Sequence, residues 1–432
     1  MDREHAVMWD APEPSENLSE ILFKPRRNTL ETSLISNSGC PLPDVEMQHG
    51  YNGFERNWYR PIPKLYWAWM GGNVLDIDSA LARICCGHGR RTREGLFDTI
   101  EDYGPGNWIF EFAAIGQERV MRARECMAAG DAERASHNYR MASRYFAFAA
   151  HPNLKGDVLA AEAALLSRQA YRKMFENEQA FAHYEEATFE VSGVKVSVHV
   201  HCTDTTRLHP VVILLPTYLQ CSTDFYRFFH DYLMPAGIAL IIADMPGMGT
   251  SSRLRLEVGS SELLTALTGH IREHIPFLDH TSVGVFGMEI GSTLAARFAL
   301  LNPGALKALC LVNPAIDEFF TNQQGLNALP LCQRSSLANR MDYNAAQWDT
   351  MVPQLQALSL KRQGLVSVTS RSQVETLCCV LDPRHQSAPD VRLACSTFGN
   401  SRLLEYRKVD WASGFRILFK DAAAFFIEKL AS

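Results

Sequence analysis

The residues that could do chemistry centre on a turn that reads Gly-Met-Glu-Ile-Gly at positions 287–291. An apolar run at 282–286 precedes the turn, and a run rich in small residues at 292–298 follows it. Strand, turn with paired glycines and helix, in that order, form the nucleophile elbow, which in esterases holds an exposed serine. Glu289 stands where that serine would be, either as a nucleophile, as a general acid or base, or as a purely structural residue.

The partners of an elbow residue are expected later in the chain, in the order nucleophile, acid, histidine. After Glu289 the chain has a single histidine, His385, which follows Asp382 in the loop where the acid belongs. Residues 403–417, where the histidine loop is expected, contain no histidine. Glu289, Asp382 and His385 are therefore the candidate catalytic residues, and Asp382 lacks a histidine at the usual position.

The walls of a pocket around the turn come from several loops. One donor of an oxyanion hole is normally a backbone N–H after an early strand, where this chain has Pro216 and Thr217, and proline has no N–H to donate. We expect these two residues to surround the pocket together with Met288 and Ile290. Ser251 joins them from a loop at the carboxyl end of a parallel strand, where open α/β sheets bind ligands.

Metal and cofactor chemistry have little support in the sequence. His199 and His201 share one face of a strand and could hold a metal, but the alternating pattern favours the solvent face for both. The 11 cysteines form no C-x-x-C pattern, and their scatter fits reduced thiols in a cytosol. We expect no cofactor and no metal.

The elements that must position these residues differ between the two parts of the chain. Apolar runs at 211–215, 238–243, 283–286 and 306–312 alternate with helical segments, which predicts a mostly parallel sheet covered on both faces. Residues 194–201 alternate valine with polar residues, which indicates a half-buried strand. The predicted fold class is therefore an α/β-hydrolase-type sheet.

The part before the sheet is predicted to be helical. Residues 1–50 are polar and contain several prolines, and we interpret them as an N-terminal arm. Residues 51–186 form the helical domain and residues 187–432 the α/β-hydrolase domain. An aromatic cluster lies between Trp58 and Trp69, and it either packs against the second domain or forms an exposed patch for a partner.

Size and charge limit the function classes. A chain of 432 residues exceeds what one core usually organises, which favours two domains. Its net charge of −6 argues against nucleic-acid binding. The N-terminus has no apolar segment typical of a signal peptide, and the apolar runs are too short to span a membrane. These observations predict a cytoplasmic protein without a membrane partner.

Several further motifs resemble one known family, the fermentation–respiration switch proteins (FrsA). They are Gly-Asn-Trp-Ile-Phe-Glu at 106–111, His-Pro-Asn-Leu-Lys-Gly-Asp at 151–157, Thr-Asp-Phe-Tyr at 223–226 and Asp-His at 279–280. The resemblance implies a helical domain on an α/β-hydrolase domain, carboxylesterase activity, and binding to the glucose-specific IIA component of the phosphotransferase system. It also implies an arginine at the position of Glu289.

Three functions remain open at this stage. The first is a carboxylesterase acting on short-chain esters, with a small acyl ester or small carboxylate as ligand. The second is a catalytically inactive regulator of the balance between fermentation and respiration that binds the IIA component. The third is cofactor-free lyase or decarboxylase chemistry in the same pocket.

Overall fold

The computed structural model describes residues 56–177, 182–366, 372–381, 388–407 and 411–430. The polar arm at residues 1–50 lies outside these ranges, as do the two candidates Asp382 and His385. Their predicted roles therefore stay predictions.

A layer of helices occupies the first part of the described chain. Its longer helices begin at side chains that cap the free N–H groups of the first turn. Asn73 accepts from the Leu75 N–H at 2.8 Å, and Asn107 accepts from the Ile109 N–H at 3.0 Å. The helices are α1 (Lys64–Trp69), α2 (Val74–Cys85), α3 (Trp108–Ala128), α4 (Ala132–Ala150) and α5 (Val158–Asn177).

The described strands form one eight-stranded sheet in the order β1-β2-β4-β3-β5-β6-β7-β8. β1 and β2 pair antiparallel with each other, β2 pairs antiparallel with β4, and the remaining pairs are parallel. The strands are β1 (His183–Val191), β2 (Val194–Cys202), β3 (His209–Leu215), β4 (Ala239–Ile242), β5 (Leu278–Met288), β6 (Ala308–Val312), β7 (Glu375–Leu381) and β8 (Ser401–Tyr406). This sheet confirms the predicted fold class, and the carboxyl ends of its parallel strands meet at one edge.

Helices cover both faces of the sheet, as the apolar strands require. They are α6 (Tyr226–Phe228), α7 (Glu262–His274), α8 (Ile290–Leu301), α9 (Glu318–Thr321), α10 (Gln323–Asn327), α11 (Leu331–Arg340), α12 (Trp348–Gln356), α13 (Ala388–Thr397) and α14 (Trp411–Leu430). Short 3-10 or π segments cover Ser222–Phe225, Phe229–Leu233, Met234–Ala236, Gly249–Ser251, Val258–Ser261 and Ala345–Gln347. None of the described helices has the length and apolar character needed to cross a membrane.

The aromatic cluster near the start of the helical layer packs inward. Tyr66 on α1 lies with its ring centre 5.0 Å from that of Phe415 on α14, and Trp69 lies 5.6 Å from Phe419. These contacts agree with the first of the two interpretations, packing against the sheet-bearing part. The same apolar cluster contains residues of the helical layer and of the sheet, so the two parts share a core.

The prediction for the two strand histidines was wrong. His199 and His201 are 1% and 0% exposed, because β2 lies between two neighbouring strands and the aromatic side chains of α5 cover this face. The Tyr184 hydroxyl lies 2.7 Å from His199 Nδ1, and the Tyr171 hydroxyl lies 2.8 Å from His201 Nε2. Burial lowers the pKa of both imidazoles, that of His201 to about 3. Among the described residues no group of three or more metal-binding side chains is arranged to hold an ion.

Candidate functional site

Glu289 lies in the turn between β5 and α8 with φ 50° and ψ −115°. This left-handed conformation is rare for a residue other than glycine and marks a constrained turn. The Glu289 N–H donates to the Val312 carbonyl at 2.8 Å, and the Glu289 carbonyl accepts from the Ser292 N–H at 3.0 Å. The backbone on both sides therefore fixes the direction of the side chain.

The two glycines of the turn are required by close backbone contacts. A Cβ at Gly287 would lie 2.7 Å from the Gly291 carbonyl oxygen, and a Cβ at Gly291 would lie 2.7 Å from the Leu215 carbonyl oxygen. Only glycine fits where the strand end and the helix start pass so close to β3. The paired glycines thus bring Glu289 next to the loop that follows β3.

The Glu289 side chain faces a cavity of about 80 Å³ beneath the helical layer, which we call the apolar cavity. Most of its wall is hydrophobic, with contributions from α1 and its flanking residues and from α4, and several of its polar groups come from the loop after β3. The lining residues are Pro61, Pro63, Tyr66, Trp67, Met70, Ala147, Phe148, His151, Thr217, Leu219, Gln220, Cys221, Asp224, Glu289 and Gln333.

The Glu289 carboxyl group has no hydrogen-bond or ion-pair partner among the described residues. Its apolar surroundings disfavour the charged form, so burial raises the pKa of this carboxyl to about 7. The neighbouring Tyr218 is also buried, and burial followed by the Glu289 charge raises the pKa of its phenol well above the usual value. Glu289 is therefore a carboxyl group poised between its two protonation states at neutral pH.

His151 lines the same cavity from the loop between α4 and α5. Its Nε2 atom is buried and has no hydrogen-bond partner among the described residues. Burial lowers the pKa of His151 to about 3, with smaller contributions from Arg60 and Arg340. A neutral imidazole thus shares the cavity with the Glu289 carboxyl.

Two arginines hold the loop that carries His151. Arg60 Nε donates to the His151 carbonyl at 2.7 Å. Arg340, which is fully buried, donates to the carbonyls of Pro152 at 2.6 Å and Asn153 at 2.8 Å. Three consecutive carbonyl groups are therefore bonded to guanidinium groups, and this loop forms a fixed roof over the cavity.

The donors available for an oxyanion are unequal. Pro216 has no N–H, and the Thr217 N–H makes a long hydrogen bond of 3.4 Å to Gln220 Oε1. Ile290 is the first residue of α8, so its N–H has no acceptor within the helix and lies at the positive end of the helix dipole. The Ile290 N–H is thus a free donor directly next to Glu289 in the chain.

The hydroxyl and thiol groups of the cavity are not activated. The Thr217 hydroxyl accepts from the Leu219 N–H at 3.2 Å. Burial raises the pKa of the Cys221 thiol and of the Tyr66 phenol, which accepts from Gln220 Nε2 at 2.9 Å. No thiolate or activated hydroxyl is therefore available at neutral pH among the described lining residues.

Asp224 is the second carboxylate of the cavity, and it is already paired. It forms an ion pair with the buried Arg144, and its Oδ2 accepts from the Cys221 N–H at 2.9 Å. Burial raises the pKa of Asp224, and the Arg144 charge opposes that rise. Of the two carboxyl groups, Glu289 is the one left free for a ligand.

The candidate residues from the sequence occupy different places. Glu289 and Thr217 line the apolar cavity, whereas Pro216, Met288 and Ile290 are buried around the turn behind its wall. Ser251 is fully buried elsewhere, and its hydroxyl has no hydrogen-bond partner among the described residues.

The sequence did not predict the residues that come from the helical layer and from the loop after β3. His151 precedes Glu289, whereas the order nucleophile, acid, histidine places the histidine after it. The signal for His151 was the motif at 151–157, which by itself indicates a family feature and a helix boundary. Gln220, Asp224 and Gln333 carry no local pattern that marks a site, since only the fold brings them to the cavity.

Comparisons with known proteins agree along most of the chain. The family model described as Esterase FrsA-like matches residues 13–430. Esterase FrsA of Photobacterium profundum is 34% identical over 353 residues, which cover 81% of this chain and 83% of that protein. Esterase FrsA of Vibrio vulnificus is 31% identical over 404 residues, 92% of this chain and 94% of that protein.

Solved structures share the fold at low sequence identity. The 2,6-dihydroxy-pseudo-oxynicotine hydrolase has a TM-score of 0.66 and 16% identity, covering 85% of this chain and 95% of its own. AbyA5 has a TM-score of 0.60 and 17% identity, covering 82% of this chain and 94% of its own. Both similarities extend over the helical layer as well as the sheet, and they concern the fold alone.

Proposed function

This chain belongs to the esterase FrsA-like family, and we propose that it hydrolyses small carboxylic esters by activating water with Glu289. The observation that carries the proposal is the free Glu289 carboxyl in the apolar cavity, with its pKa raised to about 7 by burial. A general base works best when its pKa lies near the working pH. The names of the relatives, which are esterases, support the reaction class.

The proposed reaction has no acyl-enzyme intermediate. The Glu289 carboxylate takes a proton from water while the water oxygen bonds to the ester carbonyl carbon. The carbonyl oxygen becomes an oxyanion, which the Ile290 N–H at the start of α8 stabilises. When the tetrahedral intermediate collapses, the C–O bond to the leaving alkoxide breaks, and Glu289 returns the proton to it. One ester and one water give one carboxylic acid and one alcohol.

The cavity limits the size and polarity of the acyl group. Its volume of about 80 Å³ and its walls of Trp67, Met70 and Phe148 favour a short apolar chain. The buried, unpartnered Nε2 of His151 supplies a polar contact for the ester or for the attacking water. Short acyl esters are therefore the proposed substrates, in agreement with the small volume.

Hydrolysis of p-nitrophenyl acetate tests this proposal. We expect Glu289→Gln to lower kcat/KM by about a hundredfold or more, the usual contribution of a general base. Because only the carboxylate is a base, the activity of the native chain is expected to rise with pH through about 7. Glu273→Gln is the matched control, since Glu273 is exposed and paired with Arg272 on α7.

Two outcomes would contradict the proposal. Turnover that survives Glu289→Gln would remove the role of this carboxyl group. A stoichiometric fluorophosphonate adduct on a hydroxyl would show a covalent mechanism instead. Either result can be interpreted only if the kcat/KM of Glu273→Gln equals that of the native chain.

The second candidate function is regulation without turnover, favoured by the unactivated hydroxyl and thiol groups of the cavity. In this role the chain binds the glucose-specific IIA phosphotransferase component in the cytoplasm, and the cavity holds a small carboxylate as an effector. Calorimetric titration of the full chain with purified IIA protein, phosphorylated and unphosphorylated, measures the complex. Absence of a complex with either form, together with ester turnover, would exclude this alternative.

A further inference from the structure

A second and larger cavity adjoins the first at the carboxyl end of β4, and we call it the polar cavity. Its volume is about 330 Å³, within the range of small-molecule sites. Ala147 and Cys221 line both cavities, so these two residues form a shared wall. The roof loop at Asn153, the helix α5 and the loops after β3 and β4 enclose it.

Three uncharged side chains of the polar cavity are free to hydrogen-bond a ligand. Ser222 and Asn153 are only 2% and 9% exposed, and Ser252 is half-buried. No hydrogen bond from a described residue engages the Ser222 hydroxyl, the Asn153 amide or the Ser252 hydroxyl. Buried polar groups normally have partners, so free groups facing a cavity point to a polar ligand.

One of the two cations that line the polar cavity has no ion-pair partner in the described part of the chain. Lys155 forms an ion pair with Asp342. Arg168 projects from α5 into the cavity, and no described carboxylate lies within ion-pair distance of its guanidinium. A guanidinium donates up to five hydrogen bonds and suits a carboxylate or phosphate group.

The carboxylate at the base of the polar cavity is held by two backbone N–H groups. Asp244 Oδ1 accepts from the Ser222 N–H at 2.8 Å. Asp244 Oδ2 accepts from the Thr250 N–H at 2.9 Å, whereas the Thr250 hydroxyl donates its single proton to the nearer Ser197 carbonyl at 2.6 Å. These two donors leave about two of its four acceptor positions open, which fits the hydroxyl groups of a ligand.

We propose that the polar cavity binds a small organic anion with hydroxyl groups, such as a phosphorylated polyol. The anionic group contacts Arg168, and the hydroxyl groups contact Asn153, Ser222 and Asp244. This site is separate from the carboxyl group of Glu289, and it does not depend on ester hydrolysis.

Calorimetric titration of the full chain with glycerol 3-phosphate tests the site. We expect saturable binding of this probe, weaker binding of inorganic phosphate and none of glycerol. Arg168→Gln removes a charged hydrogen-bond donor and is expected to weaken binding about tenfold or more. Ser222→Ala is expected to weaken it about fivefold.

Arg172→Gln is the matched control, because Arg172 lies one turn further along α5 and faces Glu176 at 3.8 Å on the surface. The affinity of the Arg172→Gln variant for glycerol 3-phosphate is expected to equal that of the native chain. Glu289→Gln is expected to retain binding whether or not the chain hydrolyses esters, which keeps the two proposals distinguishable.

Several results would overturn the proposal. They are the lack of saturable binding of glycerol 3-phosphate, unchanged affinity in a folded Arg168→Gln variant, and loss of binding in Glu289→Gln. Equal affinity for inorganic phosphate and glycerol 3-phosphate would overturn the recognition of hydroxyl groups. Thermal unfolding of each variant shows that it is folded before titration.

Discussion

The two cavities share the wall of Ala147 and Cys221 but differ in the polarity of their other lining residues. The apolar cavity is small and mostly hydrophobic, with Tyr66, Trp67 and Phe148 of the helical layer among its lining residues. The polar cavity is about four times larger and presents serine, asparagine and arginine side chains. A thin layer of two small side chains thus separates a site suited to acyl groups from a site suited to hydroxylated anions.

The carboxyl groups of the two cavities show what this difference means. Asp244 accepts from two backbone N–H groups, whereas Glu289 has no donor among the described residues. A carboxylate with donors is stable as a charge at a buried position, and one without donors favours its protonated form. Asp224 also has donors although it lines the apolar cavity, so the donors around each group, and not the cavity that it lines, separate a structural carboxylate from a reactive one.

The largest expected effect concerns Arg340, which joins the two cavities through the roof loop. Methionine at this position keeps much of the volume but leaves the carbonyls of Pro152 and Asn153 without donors. We expect Arg340→Met to lower the free energy of unfolding by about 3–5 kcal/mol. Urea titration followed by tryptophan fluorescence measures the change.

Arg255→Met serves as the control for Arg340, because Arg255 is exposed in an ion pair with Glu257. Its cost is expected to stay below about 0.5 kcal/mol. A cost below about 1 kcal/mol for Arg340→Met would mean that the roof is not held by this guanidinium. The two cavities would then be able to change shape independently.

The next effect concerns the wall of the apolar cavity. Phe148 is buried and stacks on Trp67, with 4.6 Å between ring centres. We expect Phe148→Ala to cost about 3 kcal/mol of stability through lost packing and an enlarged cavity, and to admit longer acyl esters. Ser252→Ala in the polar cavity is the contrast, with an expected change within about 0.5 kcal/mol. A similar loss of stability in both variants would show that the two cavities do not differ in packing.

The third effect depends on pH and concerns Glu289. Its pKa of about 7 in the folded chain exceeds the ordinary value of 4.5, so the folded state holds a proton that the unfolded state has lost between these values. Stability from this group is therefore complete below about pH 4.5 and is lost as pH rises through 7. Glutamine carries no such charge.

We expect Glu289→Gln to gain stability relative to the native chain by up to about 3 kcal/mol between about pH 4 and pH 8. Urea titrations of both chains across this pH range measure the difference. If the free energies of unfolding of both chains changed in parallel with pH, water or a counter-charge would already stabilise the ionised carboxyl group. Asp244 would then cease to be a contrast to Glu289.

The smallest effect concerns Arg168 in the polar cavity. Its guanidinium has no ion-pair partner among the described residues, so Arg168→Gln is expected to change the free energy of unfolding by less than about 0.5 kcal/mol. The same denaturation experiment measures it. A loss above about 1 kcal/mol would assign Arg168 to the fold and weaken its assignment to a ligand.

The sheet could be predicted from the sequence because its strands are apolar on both faces. The run at 211–215 became β3, and the run at 283–286 became part of β5 before the Glu289 turn. The strand with His199 and His201 was misjudged, since alternation in one strand does not show that a helix from another region covers the polar face. Tertiary packing supplied the partners that the local pattern lacked.

The candidate site could be predicted only where it is local in sequence. Glu289 and its glycines form one short motif, and strand, turn and helix define their geometry. His151 reaches the cavity from the helical layer through a loop fixed by Arg60 and Arg340, and no pattern within the motif specifies that contact. Asp382 and His385 remain predictions.

The bonding of the roof loop has a consequence for how fast ligands exchange. Each of the carbonyls at 151–153 is held by a buried or half-buried guanidinium, so lifting the loop breaks several charged hydrogen bonds at once. Entry into the apolar cavity does not require such an opening, because this cavity is open to solvent to nearly the same degree as the polar cavity. We therefore expect ligands to exchange at similar rates in the two cavities, with the arginines keeping the His151 ring in place during exchange.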